Sequence, residues 1–555
     1  MADQAAPLDA LLVQAALGTT RRFRPDSSAI RFVGALTRHP RSTASRFRAL
    51  TAETGRIMVG ASVLTPSVRD RRFTDDAWST NPILRRLLQL YLASGRTVEQ
   101  LVEQANLDHR DEQRITFLTG NLMAALAPSN APLINPASAK AAIDTAGANI
   151  VRGAAQLVRD LASAPRVPQM VDPSAFEVGV DLAITPGSVV MRTEVFELIQ
   201  YGPQRDEVRD VPLLFVPPTI NKFYALDLAP DRSLVEFLLR EGQQVFMISW
   251  RNPDARHARW DLDTYVQSIL DALETVQRLC GTDRSALAGI CSGGILASIA
   301  ASLLTSAGRG DSLAALLFAV TVLDNENAGV SAALIDPALA ETAKAASKAR
   351  GYLDGRLLAE VFSWLRPDDL VWYYWVNNYL LAKKPPAFDI LYWNSDTTRM
   401  SAGLHADFID LAINNKLTVP GALTVLGVPI DLSRVETDSY VVAGIADHIT
   451  PWRSCHRTTQ LLGGVSRFVL STSGHIAALV NPPGNTKASY QVNKGNPPDA
   501  EDWLRTAQTV PGTWWSDASA WLAERCGAVR PAPRELGGGG LRPLVPAPGT
   551  YVFDS

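Results

Sequence analysis

Ser285-Ala286-Leu287-Ala288-Gly289-Ile290-Cys291-Ser292-Gly293 leads from a short apolar run through a G-x-C-x-G box into Gly294-Ile295-Leu296-Ala297-Ser298-Ile299-Ala300. The pattern reads as a nucleophile elbow, a strand that turns sharply into a helix. Such a turn strains the backbone of its central residue and pushes that side chain out at the edge of the sheet, while small flanking residues let both arms pack closely. The central residue is Cys291, whose thiolate is a strong nucleophile and a good leaving group toward thioesters, so the box favours acyl transfer from a thioester. The alternative for Cys291 is an inert buried thiol, because free cysteine is among the most buried residue types. Its glycine flanks and strand-to-helix context favour the nucleophile. Cys280, Cys455 and Cys526 lack such flanks and read as inert.

Outward from the box, short β-branched runs alternate with longer amphipathic stretches. Val211 to Val216 precedes Ser233 to Arg240, Gln244 to Trp250 precedes Leu262 to Leu279, and Ser285 to Ile290 precedes Gly294 to Leu304. Strands resume at Leu316 to Val320, Ser439 to Ile445 and Arg467 to Ser471. This βαβ alternation predicts a parallel sheet with helices on both faces, and with the elbow it predicts an α/β-hydrolase fold. The predicted catalytic domain spans residues 176–555. It contains a helical, aromatic-rich cap at about 324–419, with Trp364, Trp372, Tyr373, Tyr374, Trp375, Tyr379, Tyr392 and Trp393. Residues 1–175 predict a mostly helical N-terminal domain, with helical stretches at Ile83 to Ala93 and Ala137 to Leu161. Pro165 to Pro173 reads as a linker, and the Gly537 to Gly540 run with Pro543, Pro546 and Pro548 as a loosely structured tail at about 530–555.

A chain of 555 residues is too long for one core, and its 46% hydrophobic, 20% charged composition with net charge −3 is that of a globular enzyme without a nucleic-acid partner. Four scattered cysteines make neither a disulfide framework nor a C-x-x-C metal pair, which fits a reducing cytoplasm. The start Met1-Ala2-Asp3-Gln4 has no secretory character, and apolar runs such as Ile295 to Leu304 fall short of the roughly 18 residues of a membrane span.

A nucleophilic cysteine needs a base, and the base needs an acid group to orient it; in this fold the chain order is nucleophile, acid, base. Asp447 follows one predicted strand and His475 follows the last, so Cys291, Asp447 and His475 have the right order. His448 is the rival base, set aside because adjacent loop residues rarely face the same way, and is read as bracing its loop. His39, His109 and His257 lie away from strand ends, and His405 and His456 stay unassigned. Two backbone N–H groups must meet the developing oxyanion. Ser292 supplies one, and Ile220 in the loop Val216-Pro217-Pro218-Thr219-Ile220-Asn221-Lys222-Phe223-Tyr224 is the candidate for the other. Its two prolines fix the loop's entry; the plainer reading is a rigid turn.

These stretches resemble the polyhydroxyalkanoate synthases, the PhaC polyester polymerases of bacteria. The resemblance rests on Pro217-Pro218-Thr219-Ile220-Asn221-Lys222-Phe223-Tyr224, Ser249-Trp250-Arg251-Asn252-Pro253, Gly289-Ile290-Cys291-Ser292-Gly293-Gly294 and Leu365-Arg366-Pro367-Asp368-Asp369-Leu370-Val371-Trp372. It continues through Pro385-Pro386-Ala387-Phe388-Asp389, Trp393-Asn394-Ser395-Asp396-Thr397-Thr398, Ala446-Asp447-His448-Ile449-Thr450-Pro451-Trp452 and Gly474 to Gly484, with Asp70 to Trp78 and Asn81-Pro82 upstream. It implies Cys291 as the site of acyl and polymer attachment, His475 as base and Asp447 as its partner, with Asp447 also a candidate to activate the incoming 3-hydroxyl. Asn221, Asp227 and His448 are candidate supporting residues.

The implied reaction polymerises 3-hydroxyacyl-CoA into polyester with release of CoA, so CoA is a substrate carrier and no bound cofactor is expected. A cap that excludes water would protect the acyl-enzyme from hydrolysis, while ordinary core packing is the plainer reading of most of its rings taken singly. Trp375 to Leu381, Phe388 to Trp393 and Pro548 to Val552 look most like the class II enzymes, which take medium-chain monomers; a short-chain synthase is the alternative. Leu323 to Gly329, and Asp369 where the family more often has Asn, depart from the pattern and bear on chain length rather than chemistry. The resemblance further implies a cytoplasmic homodimer at polyester granules. The arginine-rich stretch Arg21 to Arg48 reads either as contact with the granule surface or granule proteins, or as a solvated helix face. The other classes open to the sequence are a cysteine thioesterase or depolymerase on the same fold, and a non-catalytic granule-coating protein.

Overall fold

A parallel strand covered by helices on both sides has no solvent face, so its sequence becomes a continuous apolar run rather than an alternating one. The computed structural model describes residues 8–18, 26–68, 70–325, 337–364 and 366–555, and in it the six apolar runs form the centre of a large sheet. Among the described residues that sheet has 11 strands. They are β1 (Gly187–Arg192), β2 (Phe196–Tyr201), β3 (Leu213–Val216), β4 (Val245–Trp250), β5 (Ser285–Ile290), β6 (Leu313–Ala319), β7 (Ser439–Gly444), β8 (Ser466–Ser471), β9 (Ser489–Val492), β10 (Gln508–Pro511) and β11 (Val545–Pro546).

The order across the sheet is β10-β9-β8-β7-β6-β5-β3-β4-β2-β1-β11. Strands β4, β3, β5, β6, β7 and β8 are mutually parallel, and every residue of β3, β5, β6 and β7 is buried. The outer pairings are antiparallel. These outer strands carry mixed side chains with no long apolar run, so no such signal marks them.

Helix Leu262–Cys280 illustrates the covering layer. Asp261 accepts the Thr264 N–H at 3.0 Å to start it, and Gly281 at φ 60° ends it. Its buried stripe of Tyr265, Val266, Ile269, Leu273 and Val276 follows helical spacing, and each large apolar side chain withdrawn from water contributes about 1.5–3 kcal/mol. The parallel register then fixes where loops emerge. Val216 lies opposite Gly289, Ile290 opposite Ala319, and Gly444 opposite Ser471. The loops starting at Pro217, Cys291, Ile445 and Thr472 therefore leave the sheet along one edge.

The described residues of 1–17, 173–358 and 388–555 form one compact unit, and those of 18–172 and 359–387 form a second. This division differs from the one drawn on the sequence. The part of the aromatic segment between 359 and 387 belongs instead to the helical unit, with Tyr374 and Tyr379 buried and Tyr373 exposed. Trp364, Trp372, Trp375 and Tyr379 make a chain of edge-to-face contacts at 6.3, 5.6 and 5.3 Å between ring centres. Trp375 Nε1 donates to the Asn130 carbonyl at 3.0 Å, and the Tyr379 hydroxyl donates to Asp160 at 2.7 Å. Tyr392 and Trp393, by contrast, belong to the sheet unit.

Three further expectations change. Residues 165–173 are not a free linker: Val167 and Val171 are buried, and the Gln169 carbonyl accepts from Asn378 Nδ2 at 2.7 Å. The Ala-rich stretch is two helices, Pro136–Asp144 and Ala148–Ala162, separated by left-handed Ala146 and Gly147. The tail is ordered, with Val529–Pro531 paired to Glu207–Arg209, Val545–Pro546 forming β11, and Tyr551 and Val552 buried. Of the arginine-rich stretch, Arg21, Arg22 and Arg24 lie outside the described residues. Arg31 pairs with the buried Asp111, while Ile30 and Val33 on the same helix, Ser27–Arg38, are exposed. Leu365 and residues 326–329 also lie outside the described residues. No described helix is long and apolar enough to cross a membrane.

Candidate active site

Cys291 sits between β5 and helix Ser292–Ser306 with φ 52° and ψ −119°, a conformation that costs a non-glycine residue roughly 1–3 kcal/mol. Surrounding contacts enforce it. Its N–H donates to the Ala319 carbonyl at 2.9 Å, and its carbonyl accepts from the Gly294 N–H at 2.9 Å. A Cβ at Gly289 would lie 2.5 Å from Gly294 Cα, one at Gly293 2.2 Å from the Val216 carbonyl oxygen, and one at Gly294 2.1 Å from Thr321 Oγ1. Gly294, to which the elbow reading gave no role, is therefore required as much as Gly289 and Gly293.

Pairing between the β7 and β8 strand ends carries on into their loops, since the Ile445 N–H donates to the Ser471 carbonyl and the Ala446 N–H to the Ser473 carbonyl. Asp447 and His475 are thereby brought face to face, with Asp447 Oδ2 2.7 Å from His475 Nδ1. Cys291 lies close enough to the His475 ring to add to the rise in its pKa. Burial disfavours the imidazolium, but the Asp447 charge, the hydrogen bond to Asp447 and the nearness of Cys291 outweigh it and raise His475 to about 10. Burial likewise opposes the Asp447 carboxylate, and His475 together with the Thr450 hydroxyl and N–H holds its pKa below the ordinary value.

The Asp447 carboxylate is fully engaged. Oδ1 accepts the N–H groups of Ile449 and Thr450 at 2.8 and 2.9 Å, and Oδ2 accepts the Thr450 hydroxyl at 2.6 Å as well as His475. Four bonds use the acceptor capacity of a carboxylate. Thr450 was not singled out in the sequence, although an Asp that bonds backbone two and three residues ahead is a known turn signature.

The donor loop is braced from several sides. Thr219 N–H donates to Ser292 Oγ at 3.1 Å, Trp250 Nε1 to the Pro217 carbonyl at 3.0 Å, and Trp393 Nε1 to the Lys222 carbonyl at 2.8 Å. Lys222 and Tyr224 both bind the Asp396 carboxylate at 2.7 Å. Ile220 is buried, and its carbonyl accepts from the Thr398 N–H at 3.4 Å. Ser292 stands at the first position of its helix, where the N–H has no intrahelical carbonyl to bond.

This site belongs to a recognisable lineage. The family description "Poly-beta-hydroxybutyrate polymerase (PhaC) N-terminus" matches residues 69–238, and the α/β-hydrolase fold description matches residues 212–482. Poly(3-hydroxyalkanoate) polymerase 2 of Ectopseudomonas oleovorans is 45% identical over 516 residues, covering 93% of this chain and 92% of that protein. The chain belongs to the poly(3-hydroxyalkanoate) polymerase family. Poly(3-hydroxyalkanoate) polymerase 1 of the same organism is 42% identical, covering 93% of this chain and 92% of its own, and the polymerase subunit PhaC of Cupriavidus necator is 38% identical over 89% of this chain and 84% of its own. As a member of that family the chain is an acyltransferase-type synthase on a hydrolase fold.

The remaining candidates in this polymerase family member divide between the surroundings of the trio and the rest of the fold. His448 is half-buried beside Asp447, whose carboxylate is turned to His475. Asn221 bridges to Thr397 and so helps hold the donor loop. Asp227 lies elsewhere: it is buried against the hydroxyls of Thr185 and Ser233, and burial pushes its carboxyl pKa up, so it ties the chain at 227 to those neighbours. Cys455 is buried against the Thr450 carbonyl at 3.7 Å, and burial, followed by the Asp447 charge, pushes its thiol well up. Cys280 and Cys526 are pushed up to about 12, again chiefly by burial. His405, buried against the Leu12 carbonyl, and His456, edge-on to Phe468 at 5.0 Å, are both pulled down to about 4 by burial. His257 caps a short turn through Asp254. The side chain of His109 lies outside the described residues.

Proposed function

We propose that this enzyme polymerises 3-hydroxyacyl-CoA thioesters into polyhydroxyalkanoate through a Cys291 acyl-enzyme. The observation that carries the reading is one imidazole, His475, bonded to Asp447 at 2.7 Å and lying beside a cysteine on a strained elbow. With the imidazolium favoured by Asp447, the Cys291 proton has a stable place on His475, and the resulting thiolate attacks the thioester carbonyl. The N–H groups of Ser292 and Ile220 stabilise the oxyanion. Collapse breaks the C–S bond to CoA, which leaves with the proton from His475. In the second half-reaction the 3-hydroxyl of another acyl unit or of the growing chain attacks an acyl-cysteine. His475 takes the hydroxyl proton, an ester forms, and a cysteine thiol is regenerated. Because all acceptor positions of Asp447 are used within the protein, Asp447 acts through His475 and is not the direct base for the hydroxyl.

Medium-chain monomers are the proposed substrates, in keeping with 45% identity to an Ectopseudomonas oleovorans polymerase. CoA is carried in on the substrate and released, with no resident cofactor. The working form is a homodimer at the surface of cytoplasmic polyester granules, with granule proteins as further partners. The test is thiol release from purified protein given 3-hydroxybutyryl-CoA or 3-hydroxydecanoyl-CoA, with free acid and extractable polyester separated and Cys291→Ala as control. Polyester that is greater from the C10 substrate and lost in the control supports the reading. Free acid alone would make it a thioesterase, and no thiol release from either substrate would leave a granule-binding role.

A further inference from the structure

Residues 545–555 end on the donor loop, and the route they take is built. Strand β11 pairs antiparallel with β1, Val545 opposite Val189 and Pro546 opposite Ser188. Gly549 at φ 86° then turns the chain over Glu197; a Cβ there would lie 2.3 Å from Glu197 Oε2. The buried Glu197 carboxylate accepts the Thr550 N–H and hydroxyl, both at 2.8 Å, and the Tyr551 N–H at 3.0 Å. The Arg251 guanidinium stacks 4.2 Å over the Tyr551 ring. Beyond this anchor, Val552 is buried and lines a small cavity with Thr219, Asn221, Lys222, Trp250 and Thr398.

Asn252 joins the pieces. Its Nδ2 donates to the Asp554 carbonyl at 3.2 Å, and its Oδ1 accepts the Arg399 N–H at 2.8 Å. The neighbouring Thr398 donates from its N–H to the Ile220 carbonyl and from its hydroxyl to the Thr219 carbonyl, each at 3.4 Å. A carboxylate buried on β2 is thus connected to the oxyanion loop through Tyr551 and Asp554 of the tail, then Asn252, Arg399 and Thr398.

We infer that the segment Tyr551–Ser555 is a positioning element for the oxyanion-donor loop, acting on Ile220 through Val552, Asn252 and Thr398. The inference rests on the acyl-transfer reading above. A buried contact set of this kind restrains a backbone N–H, and displacing an aligned group by about 1 Å costs on the order of a hundredfold in rate.

The test uses the full chain with Asn252→Leu, which loses both bonds at similar volume, Asn252→Asp, which keeps the bond from Arg399, and Val552→Ala. Three quantities are measured: the single-turnover rate of CoA release from 3-hydroxydecanoyl-CoA, the KM, and the dissociation constant of decanal. In the decanal adduct Cys291 Sγ bonds the carbonyl carbon, and the thiol proton passes by His475 to the oxygen held by the donors. The expected result is a fall in acylation rate of about tenfold or more for Asn252→Leu, a parallel weakening of decanal, KM within about twofold, and partial recovery in Asn252→Asp. Val552→Ala gives the same pattern in milder form. Decanal affinity and acylation rate at wild-type levels in all three variants would overturn the inference, as would losses that track only a lowered melting temperature. Absence of CoA release from the wild type would instead remove the acyl-transfer reading, and this inference with it.

Discussion

The elbow after β5 and the donor loop after β3 leave neighbouring strand ends, yet they are held by opposite means. The elbow is held by close packing: Gly289, Gly293 and Gly294 leave room for Gly294 itself, the Val216 carbonyl and Thr321, which the neighbouring strands β3 and β6 bring alongside. The donor loop is held by residues far along the chain, including Trp393, Asp396 and Thr398. The geometry of Cys291 is therefore a property of a short motif and the strands on either side of it, and that of the proposed donor loop a property of the assembled unit. Local changes should break the first outright, and remote changes should degrade the second.

The largest effect belongs to the base. His475→Gln should slow acylation by at least about 10³-fold, while His448→Gln stays within a few-fold, because the Asp447 carboxylate is bonded to His475, which lies beside Cys291. Single-turnover CoA release measures both, and equal losses would reassign the base. Next comes the packing of the elbow. Gly294→Ala places a methyl against Thr321 and should destabilise the protein by about 3 kcal/mol. Thr321→Ala removes the two nearest atoms, so it should restore part of that loss in the double variant. Urea unfolding midpoints check the pair, and additive effects would place the strain elsewhere.

The same contrast explains what could be read in advance. The six parallel strands, the elbow and the order Cys291, Asp447, His475 are legible because burial on both faces writes an apolar run and because a glycine-flanked turn is a local signal. The outer antiparallel strands carry no such run. Trp364, Trp372, Trp375 and Tyr379 read as an aromatic cap because aromatic residues in an insertion look alike whether they face substrate or pack an interior. Only the partners Asn130 and Asp160, more than 200 residues upstream in each case, reveal the second. The tail was misread for a related reason: glycine and proline usually mark loose chain, but Gly549 serves a close approach to Glu197. Asp227, a candidate supporting residue, makes its side-chain bonds to Thr185 and Ser233.

An intermediate effect lies in the hinge between the two modes, the loop that carries Asp447. Thr450→Val removes one bond to the carboxylate and should lower acylation by roughly 10–100-fold, with Thr450→Ser near wild type. Its pH profile should shift as well, since a less firmly held Asp447 supports the imidazolium less. The pairing also makes stability depend on pH. His475 is raised from 6.5 to about 10, so its contribution is complete below pH 6.5 and lost as pH rises toward 10. Asp447 is lowered from 3.8, so its contribution is present above that value and lost in stronger acid. The melting-temperature gap between wild type and His475→Gln should be widest between about pH 4 and 6.5 and should narrow toward pH 10. A gap that widens in alkali would mean that the pair does not stabilise the fold.

The smallest effect is the most informative about the remote bracing. Trp393→Phe keeps an aromatic ring in a buried position but removes the Nε1 donor to the Lys222 carbonyl, leaving that oxygen short of a partner. An unsatisfied buried carbonyl costs about 1–3 kcal/mol, some of which relaxation of the loop recovers. Relaxation would move Lys222 and, through the short chain between them, Ile220. A few-fold fall in acylation with little change in KM, and a modest drop in melting temperature, is therefore expected. If stability falls while acylation holds, Trp393 supports the fold without setting the donor loop, and the bracing would have to run through Trp250 and Thr398, whose bonds to the Pro217 and Thr219 carbonyls hold the other side of Ile220 in the chain.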